Sequence, residues 1–187
     1  MITRILLVAT LLLVLVAAQA AGTLGQSSSP KGDVERGEYL VSAMACADCH
    51  TPWRLGSSGP EPDPELTLSG HPQALVLPPA PDLGGGPWGM AATATHTAWS
   101  GPWGVSFTAN LTPDEETGIG RWTEQEFLET IRSGRHLGRG REILPPMPWF
   151  AFRYLSDQDL RSIFAYLRTL PPIRNRVPQP IAPAEPR

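Results

Sequence analysis

Ala45-Cys46-Ala47-Asp48-Cys49-His50 holds the only two cysteines of the chain, and a histidine follows the second one directly. Two residues between the thiols and an adjoining histidine make the C-x-x-C-H pattern by which haem c is attached. The logic is one of spacing. One helical turn carries both thiols to the two vinyl groups of the porphyrin, where they become thioethers, and the imidazole is delivered to one face of the iron as an axial ligand. Two other readings of the pair are poorly supported. Zinc wants a second pair of cysteines, and the chain has none. A redox dithiol wants a βαβ pattern around it, and none surrounds this one.

The start of the chain agrees with haem. Met1-Ile2-Thr3-Arg4 carries one positive charge, Ile5 to Ala18 is free of charge, and Ala18-Gln19-Ala20 is an A-x-A cleavage site. These are the three parts of a secretory signal peptide spanning 1–20. The apolar run is shorter than the ~20 residues of a spanning helix, so membrane contact is expected only if the segment is retained as an anchor. Haem c is attached on the non-cytoplasmic side of the membrane, where such a signal leads. The net charge of −3 becomes −4 when Arg4 leaves with the signal. An acidic chain of this kind is not built for nucleic acid.

Downstream, 21–32 reads as a flexible linker. A helix is expected from Asp33, with Val34, Tyr39, Leu40, Met44 and Ala45 on its apolar face and Gly37 marking close approach of another helix. The chain from Thr51 to Gly104 loses helical periodicity and is crowded with proline, which excludes a long helix. It reads as an irregular Pro/Gly/Trp-rich wrap over part of the haem. Gly86-Pro87-Trp88-Gly89 recurs as Gly101-Pro102-Trp103-Gly104; the repeat is read either as paired turns placing two indoles over the cofactor or as ordinary turn chemistry. Phe107 to Leu111 reads as a short extended piece, and Asn110-Leu111-Thr112 matches a glycosylation sequon. Thr123-Glu124-Gln125-Glu126 is a capping box, and Gly134 ends the helix it opens. Ser156 caps a last helix with Leu160, Ile163, Phe164 and Leu167 as its core stripe. The Pro-rich tail, 178–187, is expected to be loosely held.

A haem bound on one side needs a second axial ligand or leaves that position open. The candidates are Met44, Met90, Met147, His71, His96 and His136. Met44 is too near His50 in sequence to reach the opposite face. Met147 stands out, because Pro145, Pro146 and Pro148 stiffen its loop; His96 and His136 are the rivals and would give a bis-histidine haem. A carbonyl from Pro52 or Pro60 is expected to take the free N–H of His50. Arg54, Trp149 or the cluster Arg132, Arg135, Arg139 and Arg141 are candidates for the haem propionates.

The order of these features resembles the class I cytochrome c family. More closely, Asn110-Leu-Thr-Pro113, Thr117-Gly-Ile-Gly120, Trp122-Thr123, Leu144-Pro-Pro-Met147-Pro-Trp149 and Leu155-Ser-Asp-Gln-Asp-Leu160 resemble the haem domains of bacterial periplasmic dehydrogenase-associated cytochromes c. The likeness covers Asp33 to His50 and about Phe107 to Val177. It implies a mainly α, cytochrome c-like fold in one domain, 33–177, around one covalent haem c and its iron, with 51–104 as an irregular insertion. Cys46 and Cys49 would carry the haem, and His50 and Met147 would ligate the iron. It also implies a periplasmic one-electron carrier rather than an enzyme, with a dehydrogenase or respiratory complex as donor and an oxidase or other cytochrome as acceptor. A haem subunit of a dehydrogenase complex is the alternative, and a haem peroxidase or sensor with an open sixth position a more distant one.

Overall fold

The computed structural model describes residues 30–83 and 86–183. The signal segment, the linker up to residue 29 and the last four residues of the tail lie outside the described residues. Among the described residues five α-helices frame the fold: α1 (Pro30–Ala43), α2 (Cys46–His50), α3 (Glu124–Ser133), α4 (Trp149–Phe152) and α5 (Asp157–Leu167). Among the described residues no helix is long and apolar enough to cross a membrane.

Helix α1 starts at Pro30, so Asp33 lies in its first turn rather than at its cap. Leu40 and Val41 are buried, whereas Tyr39 is 61% exposed with Arg36 over its ring. The buried line therefore runs through Gly37 and Val41 to Met44, and Tyr39 does not belong to it. At Gly37 the helix meets α5. A Cβ there would overlap the carbonyl of Ser162 and come within 2.7 Å of the Tyr166 Cβ, so only glycine lets the two backbones close.

The core is shared by α1, α3 and α5. Leu40, Val41, Phe127, Leu128, Ile131, Leu160, Ile163, Phe164 and Leu167 form one buried cluster with Leu68 and Ile119. The caps expected for α3 and α5 hold. Thr123 accepts from the Glu126 N–H while Glu126 accepts from the Thr123 N–H, and Gly134 closes α3 in the left-handed region at φ 67°. Ser156 accepts from the Asp159 N–H to open α5, and the expected stripe of four residues on α5 is buried.

The segment 51–104 is not irregular throughout. It folds a hairpin of β1 (Trp53–Gly56) and β2 (Gly59–Pro62), then an antiparallel sheet of β3 (Ala91–Ala92), β4 (Ala98–Gly101) and β5 (Gly104–Phe107), in that order. Pro60 and Pro62 lie opposite Leu55 and Trp53 in β2. Both strands of a two-stranded hairpin are edges, where a missing N–H is tolerated. The two G-P-W-G copies do different things. The second makes the two-residue turn between β4 and β5, with the Trp103 ring folded over Gly101. The first lies outside any strand, and Trp88 is 76% exposed.

The described part of the tail is held rather than loose. Ile181 exchanges two hydrogen bonds with Val105 of β5, at 2.8 and 2.9 Å. Upstream, the Asn175 side chain donates to the carbonyls of Ser69 (2.7 Å) and His71 (2.9 Å) and accepts from the Gln73 N–H (2.8 Å). The C-terminal segment thereby ties the insertion to the chain after β5.

Candidate haem-binding site

A break in the helical path creates the motif's platform. Ala45 takes φ 54° between α1 and α2, and the five residues from Cys46 to His50 start a new helical turn there. Neither cysteine is in a disulfide. Burial raises the Cys46 thiol to about 11, and burial and the Asp48 carboxylate also raise Cys49. A reactive dithiol needs the opposite shift, so this pair is not activated for thiol exchange. Among the described residues no cluster of three or more His, Cys, Asp or Glu is placed to hold a metal ion.

His50 is buried, and its Nδ1 donates to the carbonyl of Ala109 at 2.8 Å. That bond fixes the ring and leaves Nε2 as the nitrogen able to bind iron. Burial pushes the imidazole pKa down, which keeps the ring neutral, the form a metal needs. The expected donor of this carbonyl, Pro52 or Pro60, is corrected to Ala109: the Pro52 carbonyl accepts instead from the Asp63 N–H.

The Ala109 carbonyl is held by what surrounds it. Gly70 passes so close that a Cβ would lie 2.6 Å from the Ala109 carbonyl carbon, and its own N–H donates to the His50 carbonyl at 2.8 Å. Next to Ala109, the Asn110 side chain is buried. Its oxygen accepts from the Thr112 N–H (3.0 Å) and hydroxyl (2.7 Å), and its amide donates to the Ile173 carbonyl (2.8 Å). Asn110 is thus structural, and its amide is not available as a glycosylation site.

Met147 is partly buried and packs on the same core cluster as Cys46. Its loop is anchored at both ends. Upstream, the Ser106 hydroxyl of β5 donates to the Pro145 carbonyl at 2.5 Å. Downstream, the Trp149 ring covers Gly134, where any Cβ would overlap it, and Arg132 donates to the carbonyls of Arg153 and Leu155 and pairs with Asp157 at 2.6 Å.

Of the rival ligands, His71 has its ring nitrogens taken by hydrogen bonds, and the others are placed by packing or exposure. Both ring nitrogens of His71 are bonded, Nδ1 to the Thr97 hydroxyl (3.0 Å) and Nε2 to the Leu75 carbonyl (3.2 Å). His136 stands edge-on to Trp122, His96 packs between Trp53 and Trp99, and Met90 is 44% exposed. Of the propionate candidates, Arg54 pairs with Glu61 and Asp63, Arg135 with Glu142 and Arg139 with Glu126. Arg132 bonds the chain after Met147, Arg141 donates to the Glu142 carbonyl at 3.2 Å, and the Trp149 ring lies on Gly134.

No family model matches the chain. It is 31% identical over 146 residues to a nicotinate dehydrogenase subunit of Pseudomonas putida, covering 78% of this chain and 9% of that protein. It is 28% identical over 143 residues to the cytochrome subunit of fructose dehydrogenase of Gluconobacter japonicus, covering 76% and 22%. It is 28% identical over 133 residues to the cytochrome c subunit of gluconate 2-dehydrogenase of Pantoea cypripedii, covering 71% and 22%. The chain therefore spans less than a quarter of the length of each of these relatives. Motif, fixed imidazole and likeness agree on one class: the chain is similar to cytochromes c. In particular, it resembles the haem domains of bacterial periplasmic dehydrogenase-associated cytochromes c.

Proposed function

We propose that the chain is a periplasmic monohaem cytochrome c that carries one electron at a time from a dehydrogenase or respiratory complex to an oxidase or another cytochrome. The observation that carries this reading is the buried His50 ring, held through Nδ1 by Ala109 so that Nε2 is the nitrogen left for iron. In this reading Cys46 and Cys49 hold the haem through thioethers, and His50 and Met147 are the axial ligands. Two cysteines in the whole chain support one covalent haem. When bound, the haem supplies an iron centre that gains and loses a single electron.

The chain's own part is to hold that centre still and dry. Ala109 orients the imidazole and raises its basicity. The Ser106 and Arg132 anchors keep Met147 from wandering, and a thioether ligand favours the reduced iron relative to a second histidine. The core cluster under Cys46 and Met147 keeps water away, which limits reorganisation when the charge changes. Reaction with substrate needs an open sixth position, and Met147 occupies it in this reading. The secretory pattern of 1–20 supports export to the periplasm.

The second reading, a fixed haem subunit of a dehydrogenase complex, is favoured by the relatives, two of which are named as cytochrome subunits. A redox titration of the purified holoprotein tests the haem reading: one reversible single-electron transition, with colour retained through acid-acetone extraction, is the expected result, and a colourless protein with two free thiols overturns it. Isolation from native membranes then separates carrier from subunit by whether the protein emerges alone or with a dehydrogenase.

A further inference from the structure

His71 lies wholly buried in the insertion, at 0% exposure. Its bonds tell which ring nitrogen holds the proton. Nε2 faces the Leu75 carbonyl at 3.2 Å, and a carbonyl only accepts, so Nε2 donates. Nδ1 is then the acceptor of the neutral ring and takes the Thr97 hydroxyl proton at 3.0 Å. Behind Thr97 stands a row of hydroxyls, Thr97 to Thr95 at 2.8 Å and Thr95 to Thr93 at 2.9 Å. Thr97 is buried, whereas Thr95 and Thr93 are half-buried, so the row leads from the ring toward the surface.

The row is satisfied in either direction. With the ring neutral, Thr93 donates to Thr95, Thr95 to Thr97 and Thr97 to Nδ1, while Thr93 accepts from the Ala98 N–H at 3.2 Å. With a proton on Nδ1 every hydroxyl turns round, and the last donor, Thr93, meets the Ala98 carbonyl at 3.4 Å. Hops along the row turn the first arrangement into the second: one proton enters from solvent at Thr93, each hydroxyl passes its own proton inward, and the last settles on Nδ1. A buried charge is costly unless it is hydrogen-bonded, and here both N–H groups of the charged ring have an acceptor.

The backbone joins this ring to the side of the site that carries His50. The His71 N–H donates at 3.0 Å to the Thr108 carbonyl, one residue before the Ala109 that holds His50, and the Gly70 N–H donates to the His50 carbonyl at 2.8 Å. We infer that His71 is a proton-binding site coupled to the redox state of the haem: the reduced protein binds a proton at Nδ1 more tightly than the oxidised protein. The inference rests on the haem reading above. A positive charge behind His50 opposes the extra positive charge of ferric iron. The exchange balances, with one electron from the redox partner, one proton from solvent and nothing leaving. The ring's own contacts, Thr97, Leu75 and the Phe107 ring at 4.8 Å, carry no charge. Around them, His96 lies between Trp53 and Trp99, Arg54 pairs with Glu61 and Asp63, Arg174 pairs with Glu116, Arg176 is exposed, and His50 is bonded to Ala109.

Burial pushes the His71 pKa below its ordinary value, against the bond to the Leu75 carbonyl, so the proton leaves in the acid range. His71→Gln keeps a donor for the Leu75 carbonyl and does not titrate. At a fixed solution potential, the ratio of oxidised to reduced holoprotein is expected to rise between about pH 4 and pH 7 by a factor about fivefold larger in the parent than in His71→Gln, and to level off above. An equal rise in parent and variant overturns the inference. If the variant does not fold, NMR of the unaltered holoprotein still decides. Reduction is expected to move the titration midpoint of the His71 ring protons up by about 0.7 pH unit, the same fivefold coupling read from the proton's side. A ring that never titrates, or one midpoint in both redox states, overturns it. Loss of colour on acid-acetone extraction of the unaltered protein counts instead against the haem reading itself.

Discussion

His50 and Ala109 are joined by a 2.8 Å hydrogen bond between positions 59 residues apart. The bond sets the tautomer and angle of a buried imidazole from outside its own helix. What holds Ala109 therefore bears on the site as directly as the motif does.

Asn110→Ala removes a side chain that bonds Thr112 twice and the Ile173 carbonyl once. Buried partners left unsatisfied cost about 1–3 kcal/mol each. A loss of about 3 kcal/mol is expected in urea unfolding, together with a displaced midpoint potential as the Ala109 carbonyl loosens. A variant as stable as the parent contradicts the account of Asn110.

Gly37→Ala sets two effects against each other. Alanine favours a helix over glycine by about 1 kcal/mol, but its Cβ would overlap the Ser162 backbone. Overpacking between rigid backbones costs about 1–3 kcal/mol, so net destabilisation is expected in a denaturant melt. Stabilisation would mean that α1 and α5 do not cross this closely.

How much of this was legible in the sequence depends on how local each signal is. Cys46, Cys49 and His50 form a contiguous pattern. The Thr123 capping box and the α5 stripe need only one helix each, and Gly37 betrays its crossing because few other reasons put glycine inside a helix. The Ala109 carbonyl gives no such signal, since every residue has a carbonyl and only the fold chooses one. The β1–β2 hairpin is hidden because Pro60 and Pro62, which exclude a long helix, give no sign of a strand, and both strands tolerate them only as edges. The grip on the tail is equally silent, because Ile181 pairs with a strand far back in the chain.

Ser106→Ala deletes the hydroxyl that reaches the Pro145 carbonyl. The expected cost to stability is about 1 kcal/mol. The more telling readout is the temperature at which the methionine-to-iron band fades, which is expected to fall as the Met147 loop loses its upstream anchor.

Asp114 accepts from the Thr117 N–H (2.7 Å) and hydroxyl (2.6 Å) and from the Glu116 N–H (3.1 Å). The Thr117 hydroxyl is the largest influence, and together these bonds hold the carboxyl below its ordinary pKa. A carboxylate lowered in the fold stabilises it above the unfolded value of about 3.9 and loses that contribution as pH falls through the folded value. In Asp114→Asn the difference in melting temperature between pH 7 and pH 3 is expected to shrink. An equal or larger difference contradicts this role.

The absorption spectrum of the purified holoprotein beside that of Met147→Ala tests the central claim most directly. The account predicts a six-coordinate, low-spin haem with a methionine-to-iron charge-transfer band that vanishes in the variant while covalent haem is retained. A five-coordinate, high-spin resting haem, or a band that survives the substitution, would contradict it.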